Sequence, residues 1–118
     1  MKKVVSILFS LALMVIMTNN VFAGEFGKIG TDKWLYLDES GTAKNRWVQN
    51  EENDWYYCGE DGYLLKNTWH HDSNGKWYYL GYNFAMLHDT TTPDGYQVGS
   101  DGAWVRDGQV VVENVEMQ

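Results

Sequence analysis

The chain has few of the residues that usually carry catalysis, metal ligation or covalent cross-linking. Cys58 is its only cysteine, so no internal disulfide can form. Its histidines are His70, His71 and His88. Adjacent side chains of a strand point to opposite faces, so His70 and His71 cannot share a ligand, and no metal or cofactor is expected. Basic residues are scarce, nine against 16 acidic ones, and the net charge is −7. All 16 acidic residues follow residue 23, and two of the basic ones, Lys2 and Lys3, precede it. An acidic surface of this kind argues against nucleic acid, which demands Lys and Arg. The carboxylates sit in turn-like segments such as Asp38-Glu39, Glu51-Glu52 and Glu60-Asp61, where solvated charge is ordinary. No catalytic constellation stands out, and an enzyme is not expected.

Long apolar runs are confined to the start. Lys2 and Lys3 precede an almost wholly apolar stretch from Val4 to Met17, and Val21-Phe22-Ala23 closes it with small residues at suitable positions. This reads as a secretory signal cleaved before Gly24. An uncleaved anchor is the competing reading, but Asn19 and Asn20 shorten the run below the roughly 20 residues a span prefers. After cleavage no stable membrane insertion is expected. A sustained 3.6-residue apolar period is also lacking after residue 23, which argues against helix.

What the chain does have is a recurring aromatic triplet. Trp34-Leu35-Tyr36 returns as Trp55-Tyr56-Tyr57 and as Trp77-Tyr78-Tyr79, after 21 and then 22 residues. Each copy is followed by an apolar residue and a Gly/Asp/Ser-rich turn: Leu37 to Gly41, Cys58 to Gly62, and Leu80 to Phe84, where Phe replaces the expected Gly. A partial fourth copy, Val98-Gly99-Ser100-Asp101-Gly102, comes 18 residues after the third. A further Trp follows the first two triplets, at Trp47 and Trp69, but Thr91 stands near the third such position. Periods of this size mark one supersecondary unit copied in tandem. The pattern predicts an all-β chain of β-hairpins that stack as a solenoid, with an atypical terminal unit as cap. The organisation predicted is 1–23 signal peptide, 24–32 N-terminal lead, 33–105 hairpin repeats with the capping unit, and 106–118 C-terminal tail. The tail carries no motif beyond a short run of valines.

Strand alternation assigns faces. Trp34 with Tyr36, Trp55 with Tyr57 and Trp77 with Tyr79 share one side, and the middle residues Tyr56 and Tyr78 are expected in the packing. Cys58 occupies a position held elsewhere by Leu37, Leu80 and Val98, so it reads as a buried small hydrophobe. Electron-rich rings around a gap attract quaternary ammonium groups and can also stack on sugars. The candidate ligand-facing set is therefore Trp47, Trp55, Trp69 and Trp77 with Tyr57 and Tyr79.

The runs Arg46-Trp47-Val48-Gln49, Trp55-Tyr56-Tyr57, Lys76-Trp77-Tyr78-Tyr79-Leu80 and Ala85-Met86-Leu87 resemble the cell-wall-binding, or choline-binding, repeats of Gram-positive surface proteins. The segment Thr92 to Val105 is similar to a closing unit of clostridial members. The resemblance implies a left-handed hairpin solenoid with ligands held between consecutive units. Carried over by position, one cage would join Trp47, Trp55 and Tyr79, and an earlier partial one would join Trp34 to Tyr57. A later one would start from Trp69 and Trp77, but Gln97 stands where its Tyr is expected. The implied function is a secreted, non-catalytic, cell-wall or cell-surface module holding teichoic acid choline. The alternatives are a glucan- or other carbohydrate-binding module of the same fold, and a structural or protein-interaction domain with packed aromatics. With few cages, attachment would rest on a repeating polymer, or on pairing of two copies as a homodimer.

Overall fold

Short runs of aromatic and β-branched residues, broken every few positions by Asn, Asp and Gly, can form only short strands. A computed structural model describes residues 24–114, and the signal peptide expected at 1–23 lies outside them. Eleven strands and no helix occur among the described residues. They are β1 (Glu25–Ile29), β2 (Lys33–Asp38), β3 (Gly41–Thr42), β4 (Arg46–Gln49), β5 (Trp55–Cys58), β6 (Thr68–His71), β7 (Trp77–Leu80), β8 (Thr90–Thr91), β9 (Gln97–Val98), β10 (Trp104–Arg106) and β11 (Gln109–Val110). All pairings are antiparallel, in four small sheets: β1–β2–β3, β4–β5, β6–β7 and β8–β9–β10–β11. The array is the expected stack of hairpins, and it begins earlier than residue 33, because β1 is the first strand of the first hairpin.

The triplet is the second strand of each hairpin. It pairs backward with the strand before it, placing Phe26 opposite Tyr36, Trp47 opposite Tyr57 and Trp69 opposite Tyr79. The main hairpin turn therefore precedes the triplet. In the second hairpin Asn50 Oδ1 organises that turn by accepting the N–H groups of Glu52 and Asp54, each at 2.9 Å. The glycine turn after the triplet closes only single bridges in the middle units, Cys58 to Leu64 and Leu80 to Met86.

A 22-residue register runs through the backbone more regularly than through the side chains. Asn45, Asn67 and Asp89 all adopt positive φ, at 52°, 54° and 53°. Each donates its N–H to a glycine carbonyl, of Gly59, Gly81 and Gly99 respectively. Asn and Asp are the non-glycine residues that best tolerate this conformation. Units are tied to their successors by Leu64 N–H to the Trp34 carbonyl and Met86 N–H to the Trp55 carbonyl, both 2.8 Å.

The fourth hairpin explains the 18-residue interval. Thr68 pairs with Leu80, but the equivalent Thr90 pairs with Val98, so this hairpin is four residues shorter. Thr91–Gln97 takes the place of Trp69–Tyr79, and the lost rungs correspond to His70–Tyr78 and His71–Trp77, nearest the turn.

The core is a thin line along the stack, with Ala43, Val48, Cys58 and Leu64 in one cluster and Leu80, Val98 and Ala103 also buried. Cys58 is fully buried, as its repeat position predicts, and burial pushes its thiol up to about 11, so it stays protonated at neutral pH. Phe84 takes φ 74° in the place of a turn glycine. Its ring packs on the Cys58 cluster beside Phe26, Trp34, Tyr36 and Tyr56, which offsets the cost of that backbone conformation.

Candidate functional site

One constellation is built three times along the stacked hairpins. A ring on the first strand of a hairpin meets the middle residue of the next unit's triplet, or its stand-in. Phe26 meets Tyr56 at 5.1 Å between ring centroids, Trp47 meets Tyr78 at 5.2 Å, and Trp69 meets Tyr96 at 5.9 Å. All three contacts are edge-to-face. The same first-strand ring meets its own cross-strand partner, Tyr36 at 4.9 Å, Tyr57 at 5.2 Å and Tyr79 at 5.2 Å. A polar side chain at the following turn completes each set: Asn50, Asp72 and Asp94.

In the third cluster Trp69, Trp77, Asp94, Tyr96 and Trp104 line a cavity of 280 Å³. Trp104 stands 6.4 Å from Trp69 and 5.6 Å from Tyr96, the latter nearly perpendicular. Asp94 Oδ2 accepts the Trp69 indole N–H at 3.0 Å, and Oδ1 accepts the Thr92 hydroxyl. Those two bonds, Thr92's the stronger, hold the Asp94 carboxyl below the ordinary carboxylate range. Rings set at steep angles around a gap, with a carboxylate at its edge, make the walls of that gap electron-rich.

The second cluster repeats the plan around a larger cavity. Trp47 donates its indole N–H to Asp72 Oδ1 at 3.0 Å, the same 25-residue offset as Trp69 to Asp94. Trp55 lies 6.4 Å from Trp47, and Met86 holds the place that Trp104 has in the third cluster. The cavity is 800 Å³, with Glu52, Asp54, Asp101 and His88 also on its walls. His70 stacks on Tyr57 at 3.7 Å and bonds Asp72 at 3.0 Å. Burial would raise the Asp72 pKa, but the bonds from Trp47 and His70 outweigh it and leave it lowered.

The first cluster has no charged member among its equivalents. Phe26 replaces the Trp, Asn50 the Asp, and Leu64 the Met or Trp, and Phe84 joins them around a 410 Å³ cavity with Trp34 and Tyr56. Asn50 donates to the Tyr56 hydroxyl at 3.2 Å.

The expected groupings change accordingly. Tyr79 lies against Trp69 rather than with Trp47 and Trp55, because it is Trp69's partner within one hairpin. Tyr57 lies against Trp47 and His70, and Trp34 packs with Phe26, Tyr56 and Phe84 on the core instead of joining Tyr57. The middle tyrosines, assigned to packing alone, supply the inter-unit ring: Tyr78 is buried and still faces Trp47. Gln97 is not the relevant position in the last unit, since Tyr96 and Trp104 fill that role. The repeating 25-residue Trp-to-Asp offset was a signal available in the sequence. Among the described residues no group of three or more His, Cys, Asp or Glu is placed to hold a metal, and no helix is long and apolar enough to cross a membrane.

Residues 63–104 match the choline-binding repeat and residues 45–64 the cell wall binding repeat. Among solved structures, the chain is similar to the choline-binding domain of Spr1274 from Streptococcus pneumoniae, with 29% identity, a TM-score of 0.56, and coverage of 75% of this chain and 100% of that one. It is also similar to the multimodular pneumococcal cell wall endolysin from phage Cp-1, solved with choline, with 32% identity and a TM-score of 0.59 over 71% of this chain. Choline-binding protein F of Streptococcus pneumoniae is 36% identical over 69% of this chain, with a TM-score of 0.54. The chain spans only 25% of the endolysin and 26% of protein F. No curated protein matches it.

Proposed function

The chain belongs to the choline-binding repeat family over residues 45–104, and from that membership we propose that it is a secreted, non-catalytic module that fastens to choline-bearing teichoic acids of a bacterial cell wall. The observation that carries this reading is the pocket lined by the four rings of Trp69, Trp77, Tyr96 and Trp104 with Asp94 at its edge. Its volume, 280 Å³, lies at the lower end for ligand pockets and suits a compact head group rather than an extended sugar chain. A trimethylammonium group cannot donate hydrogen bonds, so ring faces and a nearby carboxylate are the partners its charge can use. The relatives solved with choline and with ipratropium support the same ligand class.

Each ring contributes on the order of 0.5–2 kcal/mol to a bound cation, so one cage reaches only about millimolar affinity. Firm attachment would come from several cages engaging one polymer that repeats the ligand. The test is retention of the chain on a quaternary-amine matrix followed by elution with free choline. Choline should elute it at a concentration where equimolar sodium chloride does not. Elution by salt alone would identify ion exchange by the acidic surface and sink the cage reading. Binding to insoluble glucan that choline leaves undisturbed would replace it with a carbohydrate module.

A further inference from the structure

Resting on that reading of the third cage, we propose that Glu113 is a positioning residue: the segment Val111–Glu113 clasps Trp77 and holds it in the orientation the cage needs. Glu113 makes three hydrogen bonds, all to the third hairpin. Its backbone N–H donates to the Gly75 carbonyl at 2.8 Å, and its own carbonyl accepts from His71 Nε2, also at 2.8 Å. Its Oε1 accepts the Trp77 indole N–H at 2.9 Å. A carbonyl only accepts, so this contact requires the proton on His71 Nε2. The His71 ring lies flat on Trp77, 4.3 Å away and within 5° of parallel. Clasp and stack therefore hold the indole by its nitrogen edge and by one face.

The surroundings are shaped for the segment. Gly75 has φ +86°, and a Cβ there would stand 3.0 Å from Val112 Cγ1 and 3.1 Å from the Glu113 carbonyl oxygen. Val111 donates its N–H to the Trp104 carbonyl at 3.0 Å, so the segment that holds Trp77 is tied directly to the strand that brings Trp104. One C-terminal stretch thus places one wall of the cage and orients another. Trp55, at the equivalent position of the second cluster, has no such clasp. It is 39% exposed, and among the described residues none bonds its indole nitrogen. A loose indole must be ordered when ligand arrives, and one already fixed does not carry that cost.

The test uses the full chain with Glu113→Ala and Glu113→Gln, choline as the titrant, and the indole N–H resonances of a ¹⁵N-labelled sample. Glu113→Ala should weaken choline binding by about fivefold. Glu113→Gln keeps an acceptor oxygen and should stay within about twofold of the parent. The Trp77 indole resonance should shift and exchange faster with solvent in the Ala variant, and the Trp69 resonance should hold. Parent-like binding by Glu113→Ala, or a Gln variant as impaired as the Ala one, overturns the clasp. If the Ala variant unfolds, the Gln variant decides on the same two readouts. A parent chain that binds no choline overturns the cage reading itself, and the indole resonances then judge the clasp alone.

Discussion

The second and third ring clusters use equivalent positions and reach different results. Both have a Trp bonded to an Asp 25 residues on, a triplet Trp, and a tyrosine from the next unit. The third adds Trp104 where the second has Met86, and its cavity is 280 Å³ against 800 Å³. Trp47 meets four rings, those of Trp55 and Tyr57 in its own hairpin and of His70 and Tyr78 in the next, so its ring is packed on several sides. Trp69 meets three rings, and it faces Tyr96, which is 46% exposed, in the lining of its cavity. The first cluster carries the same plan on Phe26 and Asn50, without charge, and its half-buried rings pack against the core. A repeated motif therefore gives one plan three different surroundings, around cavities of 410, 800 and 280 Å³.

Substitutions can break this comparison. The largest expected effect is on stability: Trp47→Ala should cost about 3 kcal/mol and lower the melting midpoint by ten degrees or more, read by circular dichroism. Choline binding measured well below that midpoint should persist through the third cage. Trp69→Ala should do the reverse, weakening choline binding by about tenfold with a smaller loss of stability. If both variants lose binding and stability in the same proportion, the two clusters do not differ in role.

A gain is also predicted. Met86→Trp gives the second cluster the ring that distinguishes the third, and should strengthen choline binding there by about threefold, seen as a second site in a titration. An unchanged single-site isotherm would show that Trp104 is not what sets the clusters apart. The smallest effect concerns pH. The Asp94 carboxyl is held below its ordinary value of 3.8 by Thr92 and Trp69, so the folded state favours its charged form. Its contribution is complete above 3.8 and is lost as pH falls through the depressed folded value. Falling from about pH 5 to about 4 should therefore leave the carboxylate's part in retention intact, with loss setting in only below that. Asp72, also lowered, should behave alike in the second cluster.

Much of the fold was open to inference from the residues. Trp34, Trp55 and Trp77 announced the repeat, and Cys58 could be read as core because Leu and Val occupy its equivalents. Trp47, Trp55, Trp69 and Trp77 do line cavities between units. The partners of those rings were misjudged because alternation along one strand says nothing about which residue of the next unit arrives opposite. The triplet pairs backward, so Tyr57 and Tyr79 belong to their own hairpins, and the middle tyrosine reaches the neighbour. The fourth hairpin hid its contribution by losing two rungs, which moved an aromatic into its turn as Tyr96. Glu113 gave no signal at all, since its contacts lie 36 to 42 residues away along the chain.

Local chemistry explains this division. Asn45, Asn67 and Asp89 accept positive φ, glycines allow the tight turns, and aromatic runs favour strands, all through interactions within a few residues. Sequence alone therefore determined that the chain would be a series of short hairpins with aromatic faces. Whether a given face packs as core or lines a pocket depends on what the next unit and the C-terminal segment bring against it. Those contacts span more than 20 residues and are chosen by the stacking of whole hairpins, so only the tertiary structure could decide them.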